Sequence, residues 1–175
     1  KQDLNNERPL EMYVRGGNWG LASNAIHYID LFSFLIESTN LKVSESSINN
    51  KIYPSKRKGF VELGGSFTIN SSDNDLLIIE DQKSTDEPVS VTFSTPHQKI
   101  VINELLQESL SLSKKSSLKE YRSSFELTNQ STLTTDIVFK ILSRESCDLI
   151  DLENSYRLHE IIIPFFLKEM NKISS

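Results

Sequence analysis

Apolar positions near the start of the chain change period within a few residues. Between Leu10 and Arg15, Met12 and Val14 alternate with Glu11, Tyr13 and Arg15, which predicts a strand that stops at Gly16-Gly17. From about Ser23 to Glu37 the spacing becomes helical, with Ile26, Ile29, Phe32, Leu35 and Ile36 at three- and four-residue steps. Ser23 or Asn24 is placed to cap that helix by accepting from a first-turn N–H. The middle third returns to short, partly alternating runs: 41–53, 60–70, 75–81, 89–94 and 98–103, with a further strand over 120–127. PSKRKG, NSSDND, STDEP and TPH separate them, the punctuation of hairpin turns. The serine-rich stretch 109–117 reads as a mobile loop. Helical spacing resumes over 131–143 and again over 152–173, where the interior Pro164 is expected to kink the helix or split it in two.

A strand, a helix, a run of strands and closing helices form the α+β pattern. The expected architecture is an open, largely antiparallel mixed sheet with helices packed on one face. Its 175 residues suit one domain, and 37% hydrophobic residues supply a core. The first nine residues, KQDLNNERP, read as an interdomain linker, and 10–175 as the domain proper. The chain opens on Lys1 rather than methionine, so it is expected to be a domain of a longer protein.

Charge narrows the partners. A net charge of -5 argues against nucleic acid and anionic membranes, which need a concentrated basic surface. The basic cluster Lys56-Arg57-Lys58 reads as a solvated loop tip. The longest apolar stretch, 161–167, contains Pro164 and is too short to span a bilayer. Cys147 is the sole cysteine, which excludes an internal disulfide and a thiolate metal cluster, and fits a buried structural thiol in a reducing, cytoplasmic setting.

The chemistry concentrates on the first helix. At 100° per residue, Ser23, His27, Asp30, Phe34 and Glu37 share one stripe, while the rest is apolar nearly all round and so expected to be buried. A polar stripe on a buried helix needs partners or a wet cleft. Imidazole changes protonation near neutral pH, which suits proton transfer, and Asp30 one turn on is placed to fix the ring's tautomer. Gly16, Gly17 and Gly20 let the backbone turn sharply and approach a ligand before the helix. On these residues alone, His27 is either a catalytic group or a core histidine satisfied by Asp30.

The arrangement resembles the C-terminal domain of the glucose–fructose oxidoreductase/inositol dehydrogenase (Gfo/Idh/MocA-like) family. That family's motif runs Gly-Gly, a few residues, then Asp-x-x-x-His-x-x-Asp, and Gly16-Gly17, His27 and Asp30 match it. The resemblance covers essentially the whole chain and is also similar to proteins of bacterial surface-sugar pathways. It implies an NAD(P)-dependent oxidoreductase of sugars or sugar nucleotides whose Rossmann domain, with the dinucleotide fingerprint and catalytic lysine, lies outside this chain. It implies His27 as general acid/base, with Ser23, Asn24, Asp30 and Trp19 contacting substrate and His159 in a lesser binding role. It further implies an oligomer formed through the sheet face. Two departures stand out: the family's aspartate four residues before the histidine is Ser23 here, and the pair Trp19-Gly20 differs from the common family sequence. The loss of that aspartate keeps a non-catalytic binding or dimerisation module open as the competing class.

Other chemistry has little support. His97 follows Pro96 in a turn, and the three histidines share no metal-ligand spacing. No G-x-S-x-G elbow is present, so a hydrolase lacks its geometry.

Overall fold

A computed structural model describes residues 7–113, 119–128, 130–146 and 149–174. The chain runs β1 (Glu11–Gly16), α1 (Leu21–Ile36), β2 (Leu41–Ile48), β3 (Tyr53–Pro54), β4 (Val61–Glu62), β5 (Gly65–Ser71), β6 (Leu76–Asp81), β7 (Ser90–Ser94), β8 (Gln98–Asn103), β9 (Glu108–Ser113), β10 (Lys119–Ser124), α2 (Gln130–Leu142) and α3 (Leu152–Ser174). Eight strands form one sheet in the order β10-β9-β8-β7-β1-β6-β5-β2, and β3 with β4 makes a separate small ribbon. Among the described residues only β1 and β6 pair in parallel; the other neighbours are antiparallel. This is the α+β, open and largely antiparallel sheet that the hydrophobic pattern implies.

Side-chain alternation decides which face is covered. Met12 and Val14 of β1, Phe67 and Ile69 of β5, Leu77 and Ile79 of β6, and Val91 and Phe93 of β7 are buried. They form one core with Leu21, Ala25, Ile29 and Phe32 of α1 and Leu158, Ile162 and Phe166 of α3. Phe67 meets Phe165 and Phe166 at ring-centroid distances of 5.2 and 5.6 Å, fixing α3 over β5. Along the opposite face the register aligns Ile78, Tyr13, Thr92, Val101 and Leu110 in one half-buried row.

Four local expectations are corrected. The serine-rich stretch begins as a strand: β9 takes up 109–113, pairing with β8 and β10, while 114–118 lie outside the described residues. Pro164 does not split α3, which continues through it, because Leu158 and Ile162 before it and Phe166 after it pack into the same core. The run 41–53 is two strands, with a register shift between Val43 and Glu45. α1 is not buried all round: its face away from the sheet leaves Ser23, His27, Leu31 and Phe34 exposed. Cys147 falls outside the described residues.

Before β1, Arg8 forms an ion pair with Asp75 at 2.8 Å and donates to the Ile36 carbonyl. Those bonds tie Arg8 to the start of β6 and the end of α1.

Candidate functional site

Strand β1 feeds α1 through the turn 17–20, and the sheet register explains how that turn is held. Gly16 lies opposite Asp81, the last residue of β6. The Asp81 carboxylate therefore reaches the helix start, where its Oδ2 accepts the N–H groups of Gly20 (3.0 Å) and Leu21 (3.1 Å). Lys83 donates to the same oxygen at 2.7 Å. Glu62, from β4, accepts the Ala22 N–H at 3.0 Å and the Ser23 hydroxyl. Two protein carboxylates thus satisfy the first amides of α1 and complement its positive end. Neither Ser23 nor Asn24 is the cap: the N-cap residue is Gly20, with φ of 91°, a left-handed conformation suited to glycine. Gly17 is required by space, because a Cβ there would stand 2.1 Å from the Thr85 carbonyl oxygen.

Glu62 and Asp81 were not singled out from the sequence, since they lie about 40 and 60 positions from the amides they hold. Asp81 did leave a signal. It falls on the inward register of β6 after Leu77 and Ile79, and an inward carboxylate needs a partner.

Trp19, Ser23, Asn24 and His27 line one cavity of about 650 Å³, closed on its other side by Tyr53, Lys56, Arg57, Phe60 and Glu62 of the β3–β4 hairpin and by Lys83. Trp19 is fixed by donating its indole N–H to the Glu80 carbonyl at 3.0 Å and by an edge contact with Tyr28. Asn24 donates to the Trp19 carbonyl at 2.7 Å, bracing the turn. The Ser23 hydroxyl is turned to Glu62, so a carboxylate stands beside position 23 although the chain carries none there. His27 is exposed and makes no hydrogen bond among the described residues. Lys56 and Arg57 are exposed at the hairpin tip, as the charge run predicts, and also form part of the cavity wall.

His27 also borders a second cavity of about 690 Å³ with Asp30, Leu31, Phe34, Leu149, Ile150 and Asn154. Asp30 belongs to this side. Burial raises its carboxyl above the ordinary 3.8, and His27 and His159 pull it back down. No hydrogen bond joins Asp30 to His27 among the described residues, so the expected tautomer lock is absent and the coupling is electrostatic. His159 faces the Ser155 carbonyl through Nδ1 at 2.8 Å, so Nδ1 carries the proton there, and it lines neither cavity.

Levoglucosan dehydrogenase superposes with a TM-score of 0.66 at 12% identity, over 96% of this chain and 60% of its own. KijD10, a 3-ketoreductase from Actinomadura kijaniata solved with TDP-benzene and NADP, gives 0.65 at 10% identity, over 93% and 53%. The dehydrogenase MviM from Clostridium difficile gives 0.64 at 12%, over 95% and 57%. The chain has the fold of these oxidoreductases. It spans little more than half the length of each, and identities this low establish the fold alone. The same fold occurs in Gal80p of Saccharomyces cerevisiae, with a TM-score of 0.57. No protein-family model and no curated protein sequence matches.

The residues present do not fit a dinucleotide. The sequence has no G-x-G-x-x-G, and the helix start that follows the glycine-rich turn is filled by Asp81 and Glu62, whose charges repel a phosphate.

Proposed function

We propose that this chain is the substrate-binding half of an NAD(P)-dependent oxidoreductase of sugars or sugar nucleotides, with His27 exchanging the proton of the reacting hydroxyl. The observation that carries this reading is the exposed His27, without a hydrogen bond among the described residues, on the wall of the cavity that Trp19, Ser23 and Asn24 also line. Trp19 offers an apolar ring to a sugar face, and Ser23 and Asn24 offer polar groups to its hydroxyls. A base so placed takes the proton from a sugar hydroxyl, or returns it to a carbonyl oxygen, within hydrogen-bond reach. Asp30 acts on His27 through its charge, and His159 acts at one remove through Asp30. The dinucleotide is assigned to another domain of a longer, cytoplasmic polypeptide, joined through residues 1–9. Steady-state oxidation of a panel of sugars and sugar nucleotides by that polypeptide, followed by reduction of the nicotinamide, tests the reading. Turnover on at least one member is expected, and none on any would overturn it.

A non-catalytic binding module is the second reading, favoured by Ser23 standing where the related motif has aspartate and by the fold likeness to Gal80p, solved as a super-repressor mutant. The Glu62 carboxylate on Ser23 weighs against it.

The half-buried row Ile78, Tyr13, Thr92, Val101 and Leu110 supports self-association through the open sheet face. Ile78→Glu is expected to lower the sedimenting mass, and an unchanged monomer in both proteins would remove this proposal.

A further inference from the structure

The β3–β4 hairpin puts two adjacent cations, Lys56 and Arg57, on the wall of the His27 cavity. Neither forms an ion pair or side-chain hydrogen bond among the described residues. Lys83, the third cation of the wall, is different: it is nearly buried and held by Asp81. The chain carries 24 acidic residues against 19 lysines and arginines, so unpaired neighbouring cations facing a cleft run against its overall charge. Among the described residues the one carboxylate on the wall, Glu62, is held at the start of α1 by the Ala22 N–H and the Ser23 hydroxyl, so the hairpin tip is positive and attracts an anion. The other anion cradle within reach, the amides at the start of α1, is closed by Asp81 and Glu62. An anion in this cavity is therefore left to the hairpin side chains.

We propose that Lys56 and Arg57 form an anion subsite for a phosphate or diphosphate ester, carried by the same ligand whose reacting hydroxyl meets His27. The inference rests on the functional reading above and deepens it: the substrate is a phosphorylated sugar or a sugar nucleotide, not a neutral sugar. Two cations side by side match the charge of a phosphate dianion or a diphosphate better than that of one carboxylate. The planar fork of Arg57 suits two phosphate oxygens at once, and Lys56 adds a mobile point charge. A cavity of about 650 Å³ has room for a hexose and its phosphate, with the sugar toward Trp19 and the anion toward the hairpin.

Trp19 is the chain's only tryptophan and lines this cavity, so its fluorescence reports on the site. The test titrates the 175-residue chain at constant ionic strength with inorganic diphosphate, glucose 1-phosphate, glucuronate and methyl glucoside, and repeats the measurement by equilibrium dialysis. Diphosphate and glucose 1-phosphate are expected to bind saturably, and glucuronate and methyl glucoside at least roughly tenfold more weakly. Lys56→Gln and Arg57→Gln should each weaken glucose 1-phosphate by roughly tenfold. The exchanged pair Lys56→Arg with Arg57→Lys should retain most of the binding, and Lys58→Gln, outside the cavity wall, should leave it within about twofold. No binding by dialysis, equal binding of glucuronate, or equal loss in Lys58→Gln overturns the subsite. Because these measurements need no turnover, their failure is separate from failure of the oxidoreductase reading, which the substrate panel and the His27 variants decide.

Discussion

Replacing Asp81 by alanine removes the group that joins the sheet to the start of α1. In the folded chain Asp81 is fully buried, accepts two backbone N–H groups and pairs with Lys83, whose side chain is only 9% exposed. Losing a charged acceptor costs about 1.5–3 kcal/mol per hydrogen bond, and removing one partner of a buried ion pair about 3–5 kcal/mol. These figures overlap, since both count the same desolvated groups. The second oxygen, Oδ1, is buried with no hydrogen-bond partner among the described residues, and its removal gives part of the loss back. A net loss of about 3 kcal/mol is the expected result, a large share of a domain stability of roughly 5–15 kcal/mol. Urea unfolding followed by Trp19 fluorescence and far-UV circular dichroism gives the value, provided the two transitions coincide. Adding Lys83→Met removes the stranded cation, so the double variant should recover about 1–2 kcal/mol relative to Asp81→Ala. A loss under about 1 kcal/mol, or a double variant no more stable than Asp81→Ala, refutes the assignment of Asp81 as the anchor of α1.

Glu62→Gln keeps the shape but not the charge over Ala22 and Ser23, and should cost about 1 kcal/mol by the same urea assay, whereas Glu62→Ala should cost about 2–3 kcal/mol. Asp30 gives a pH signature. Its folded carboxyl titrates above the ordinary 3.8, so the protonated form favours folding; that contribution is complete below 3.8 and is lost as pH rises through the raised value. Asp30→Asn should therefore raise the urea midpoint at neutral pH, with the gain vanishing toward strongly acidic pH; a gain independent of pH would contradict the cause assigned.

Much of the fold was legible because a period of two and a period of 3.6 leave different apolar spacings. The strand Glu11–Gly16, the strands around Phe67, Ile79 and Val91, and all three helices follow from that alone. Strand β9 was hidden by composition: ESLSLS alternates Leu110 and Leu112 with serines, but serine is commoner in loops, and ladder bonds to both neighbours decide the outcome. Pro164 carries a local cost in the helix interior, which the packing of α3 on Phe67 outweighs. At the site, Trp19, Ser23, Asn24 and His27 could be grouped because one turn and one helix carry them. Glu62, Asp81 and the hairpin cations could not, because sheet register and the β3–β4 ribbon bring them in from distant positions.

The proton-exchange role rests on His27. In the complete polypeptide, His27→Ala and His27→Gln should lower kcat by roughly 10²–10⁴-fold while KM moves only a few-fold, because the lost interaction acts on the proton in the transition state. A kcat within about threefold of the unsubstituted enzyme, with the loss confined to KM, would make His27 a binding group and remove the proton-exchange role.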